Sequence, residues 1–107
     1  MSNEVAIIQT LANIGQSITS MAASVKTLKG IRKQDAIILE ENLRYLRNAC
    51  RARGIGELTR LSIDEMERTL HNIQQKNFTG NMLEMAMHML KLQHETLCRI
   101  IQNYLPH

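Results

Sequence analysis

The residues best suited to chemistry crowd into one stretch near the end of the chain. Met82, Met85, Met87 and Met89 fall within eight residues, with His88 among them and His94 and Cys98 close behind. Thioether, imidazole and thiolate are ligands that suit soft ions such as Cu(I). His94 and Cys98 are four apart, so a helix puts them on one face. The plainer use of such a cluster is packing, because methionine fills irregular cores and adaptable contact surfaces. Met82, Met85 and Met89 step by three and four, while Met87 falls off that stripe. We read the stripe as a contact surface and expect no metal or other cofactor.

A second set is cationic. Lys26, Lys29, Arg32 and Lys33 bracket the first expected turn, and Arg44, Arg47 and Arg51 form a line along one helix. Residues 26–60 hold nine Lys/Arg against four Asp/Glu, whereas the segments before and after each sum to −1. Lys29, Arg32, Lys33, Arg44, Arg47 and Arg51 are therefore candidate contacts for phosphate on nucleic acid or a nucleotide, or for an acidic protein surface. Glu40 and Glu41 can pair with the same line, and only Tyr45 stands nearby for base stacking.

Other chemistries find little support. Residues 56–67 resemble a short helix, a break and a second helix, but that second helix opens with Asp64, Glu65 and Glu67, which DNA phosphate repels. The chain has no glycine-rich phosphate loop after a strand, no paired-cysteine zinc spacing and no His-Glu-x-x-His. His71, His88, His94 and His107 are scattered. Arg51 beside Cys50 could lower that thiol's pKa. No further residue supports a nucleophile, and the protein is expected not to be an enzyme. Cys50 and Cys98, 48 residues apart, are read as buried reduced thiols of a cytoplasmic protein.

These groups must be positioned by helices. Ile7, Leu11, Ile14, Ile18, Met21, Val25 and Leu28 recur at steps of four and three, a heptad seam. No charged residue occurs from Val5 to Val25. An exposed helix of that length normally carries Lys and Glu. The seam, with Gly15 and Ala22 at one shared heptad position, is thus expected to meet a second copy or another protein. Gly15 costs about 1 kcal/mol against Ala in a helix interior, which close approach of another helix would offset.

Gly30, Gly54 with Gly56, and Gly80 divide the chain into four segments, each glycine standing where an apolar period ends. The expected helices are 3–29, 33 or 35–53, 63–76 and 81–104. The second has Leu39, Leu43, Leu46 and Cys50 on its core face, widened by Ala36, Ile38, Tyr45 and Ala49. The third starts at a Ser62/Glu65 capping box with a Leu61/Met66 staple. The fourth carries Leu83, Ala86, Leu90, Leu97, Ile100 and Tyr104, with Gln93 as a polar break and the methionine stripe beside them.

Apolar residues make up 44% of the 107, but aromatics only 3%, and the one proline stands at position 106. This composition fits an all-α fold. A chain of this length buries only about 60–70% of its unfolded surface, so self-association would add stability. Met1-Ser2-Asn3-Glu4 lacks the basic start of a secretory leader. Gln9, Asn13 and Gln16 interrupt the first helix as a membrane span, so no membrane partner is expected. The sequence thus points to one helical domain over residues 1–107, a bundle of three or four helices with short connections and coiled-coil-like assembly. Its expected role is a non-enzymatic adaptor, inhibitor or regulatory subunit, with phosphate binding by residues 26–53 as the alternative.

Overall fold

The structure, a computed structural model, describes residues 3–75 and 78–105. Among these residues are four helices and no strand: α1 (Asn3–Leu28), α2 (Lys33–Ala52), α3 (Glu57–Gln75) and α4 (Gly80–Gln102). α1 packs on α2 and α4, and α3 packs on the same two helices, so the four form a ring. After α1 and after α2, connections of four residues turn the chain back on itself. Glu4 near the start of α1 accordingly pairs with Arg53 just past α2, and Ser20 in α1 donates to Asp35 near the start of α2. The expected all-α bundle is the fold found. No helix among the described residues is long and apolar enough to cross a membrane.

The core runs along the middle of the ring. α1 contributes Ile7, Leu11, Ile14, Ile18, Met21 and Val25, and α2 contributes Ala36, Leu39, Leu43, Leu46 and Cys50. Ile63, Met66 and Leu70 come from α3, and Leu83, Met87, Leu90, Leu97 and Ile101 from α4. Met87 is the methionine off the stripe, and it is the one that turns inward. Ile101 is buried where Ile100 was expected, and Tyr104, Ile38 and Tyr45 are exposed.

Helix ends follow local chemistry. α1 stops at Leu28, which is exposed rather than part of the seam. Lys29, not Gly30, takes the left-handed turn there, at φ 60°. α2 ends at a left-handed Gly54, φ 69°. Ile55 N–H reaches back to Cys50 C=O, and Gly54 N–H to Arg51 C=O, which closes a Schellman motif.

α3 departs most from the sequence expectation. It is continuous from Glu57, so Ser62 sits inside it and caps nothing. Arg60 spans the expected break, bonding Glu57 one turn before and Asp64 one turn after. Thr59 and Ile63, four apart, both face inward. With one unbroken helix there, the helix-turn-helix resemblance of residues 56–67 disappears.

Candidate functional site

The heptad seam of α1 lies inside the chain's own core. Ile7, Leu11, Ile14, Ile18, Met21 and Val25 are each at most 7% exposed. They are therefore covered by α2 and α4, which corrects the expectation that they meet a partner. Part of the uncharged face is covered as well. Thr10, Ser17 and Ser24, spaced by seven, are buried. Thr10 satisfies its hydroxyl on the Ala6 carbonyl.

Gly15 and Ala22 face α4. A Cβ on Gly15 would lie 2.9 Å from His94 Cε1. His94 Nε2 donates across the interface to the Leu11 carbonyl, 2.9 Å away, and Cys98 Sγ lies 3.5 Å from the same nitrogen. The glycine is thus needed for close approach, as expected, but what approaches is an imidazole. His94 and Cys98 share a face as the spacing implied, and that face is turned to α1, apart from the exposed methionines. Among the described residues no three His, Cys, Asp or Glu side chains are grouped to hold a metal.

What α1 leaves outside is an uncharged strip: Val5, Ile8, Gln9, Ala12, Gln16, Thr19 and Ala23. The methionine stripe of α4 is also outside. Met82, Met85, Met89 and Leu92 are 58%, 70%, 52% and 48% exposed. Between the two strips stand Glu84, His88, Lys91 and Glu95 of α4, all exposed. On its other side the stripe borders a groove of about 270 Å³ against α3, with Thr69, Asn72 and Phe78 in its wall. Gln93, expected as a polar break, donates to Thr69 Oγ1 at 3.1 Å and ties the two helices. Thr69 in turn donates to the Glu65 carbonyl. Its Oγ1 is 3.8 Å from Met89 Sδ.

The basic residues do not form one patch. Lys29, Arg32 and Lys33 lie at the α1–α2 end, about 27 Å along α2 from Arg51 at a helix rise of ~1.5 Å per residue. Arg44 pairs with Glu40 on the surface, 3.6 Å apart. Arg47 turns sideways and bonds Asp64 and Glu67 of α3. Partial burial pulls its pKa down, but the two carboxylates outweigh this and hold the guanidinium above its ordinary value. Arg51 is exposed and has no carboxylate partner among the described residues. Arg47 and Arg51 share a pocket with Arg60, which periodicity along α2 could not supply because Arg60 belongs to α3.

The thiols are free, Cys50 buried and Cys98 half-buried. Burial raises the pKa of both. At Cys50 the opposing charge is that of Arg53, not Arg51, and it does not win. The cation that acts on Cys50 is thus not the one adjacent in sequence, and the thiol is buried, as read from the sequence.

Compared with protein-family models, with curated proteins and with solved structures, the chain matches none of them.

Proposed function

We propose that this protein is a non-enzymatic interaction module, a small adaptor or regulatory subunit, that pairs with a second copy of itself through the outer face of α4. The observation that carries this reading is the exposure of Met82, Met85, Met89 and Leu92 on one uninterrupted stripe. Contiguous apolar side chains of this size mark contact surfaces on small proteins. Methionine adapts to what it meets, so the face does not require a matching pocket. No charge lies within the stripe. Two copies can therefore pair face to face about a twofold axis without like charges meeting. The coiled-coil-like assembly expected from α1 is transferred by this reading to α4, because the α1 seam is already covered. Two free thiols support a reducing compartment such as the cytoplasm.

The test is sedimentation velocity over a wide concentration range, with Met85→Glu/Met89→Glu beside the parent chain. Both positions are exposed, so the double variant should keep its helical circular dichroism. The parent is expected to self-associate and the variant to stay monomeric. A parent that is monomeric at every concentration removes the second copy as the occupant of this face.

A further inference from the structure

The corner where α2 hands over to α3 holds a pocket of about 260 Å³. Arg47, Arg51 and Arg60 line it, against one carboxylate, Glu57. Gly56, also in the wall, is the residue before the first turn of α3. It has no side chain with which to cap that turn. The N–H groups of Glu57, Leu58 and Thr59 have no acceptor within the helix. A 19-residue helix thus presents its positive end to a hollow lined by three arginines, of which Arg47 and Arg60 are already paired with carboxylates.

An independent observation points to a ligand. Thr59 lines the same pocket, is 1% exposed, and its Oγ1 has no hydrogen-bond partner among the described residues. Thr10, Thr19, Thr27 and Thr69 each return their hydroxyl to the carbonyl four residues earlier. For Thr59 that residue is Ile55, which belongs to the connection and not to the helix. Among the described residues the hydroxyl is left as an unused donor in the first turn of α3, whose N–H groups have no acceptor within the helix.

We propose that this corner binds a phosphoryl group, as inorganic phosphate or as the head of a small phosphomonoester. An oxyanion with several acceptor oxygens can be shared among a helix N-terminus, a hydroxyl and guanidinium forks. Arg51 is the arginine of this corner that has no carboxylate partner among the described residues. Arg47 stays with Asp64 and Glu67, and Arg60 keeps Asp64 while exchanging Glu57 for the ligand. The volume falls below the ~300–1,000 Å³ of sites for drug-sized molecules, so a whole nucleotide does not fit inside.

The experiment is a titration of the ¹⁵N-labelled full chain with sodium phosphate, followed by amide chemical shifts. Sodium chloride and sodium sulfate at equal ionic strength are run in parallel. The phosphate arm should give saturating shifts centred on Glu57, Leu58 and Thr59. Arg51→Glu should weaken binding at least tenfold. Thr59→Val should weaken it several-fold while raising the melting temperature of the ligand-free chain. Glu57→Gln, which removes the competing carboxylate, should tighten it. A glycerol phosphate arm separates the sources: equal binding identifies an ester head group, and loss identifies the free ion. Shifts that are linear in salt, equal in chloride, or unchanged in both Arg51→Glu and Thr59→Val overturn the proposal.

Discussion

Gly15 and His94 show how one contact can reverse the usual effect of a substitution. In an isolated helix Gly→Ala gains about 1 kcal/mol. Here the added Cβ would meet His94 Cε1 at 2.9 Å, and the ring could yield only by leaving the Leu11 carbonyl. Gly15→Ala should therefore destabilise the parent chain and stabilise a His94→Ala chain. A double-mutant cycle in urea should return a coupling of about 1 kcal/mol or more, and a coupling near zero would separate the two residues. The glycine was readable in sequence, since it alone sat inside a helical period. Its partner was not, because helical spacing relates residues of one helix and says nothing about which side chain crosses to the next. The same limit hid Thr59 and Arg60, whose meaning comes from a connection in one direction and α2 in the other.

Helices are held to one another by few polar ties, and Arg47 is the main one between α2 and α3. It is only 20% exposed and serves two carboxylates, 31% and 36% exposed. Arg47→Ala takes the cation from Glu67 and leaves Asp64 with Arg60 alone. We expect a loss of about 1–2 kcal/mol, above the range of open surface pairs, read as a lower urea midpoint at unchanged slope. Arg47→Lys should not restore it, because a single ammonium cannot fork to both carboxylates. A loss below a few tenths of a kcal/mol would mean that the tie is ornamental. Element boundaries of α1, α2 and α4 were legible to within two residues, since each has a long apolar period closed by a turn-forming residue. α3 was read six residues short. The Ser62/Glu65 pattern mimics a helix start. It was overridden by the Arg60 ties and by the inward-facing Thr59 and Ile63, with no glycine or proline between Glu57 and Gln75 to stop the helix.

For the whole molecule, composition and glycine placement were enough to foresee an all-α bundle. They were not enough to say which apolar stripe lies inside. α1 and α4 each carry more than one candidate face, and only the closed ring decides which is covered. That ring has three interfaces between helices adjacent in sequence and one, α1 with α4, between its two ends. Leu11 and His94, joined across it, are 83 residues apart. Joining distant segments costs more chain entropy than joining near ones, so the order of events is set by topology. Hairpins of neighbouring helices should form on the way to the barrier and the terminal helices should lock after it. In stopped-flow kinetics His94→Ala should accordingly hasten unfolding and leave the refolding rate nearly unchanged. Slower refolding would place that lock before the barrier. A contact that forms late is also the first to open, so spontaneous breathing of this protein should begin along the line between its first helix and its last.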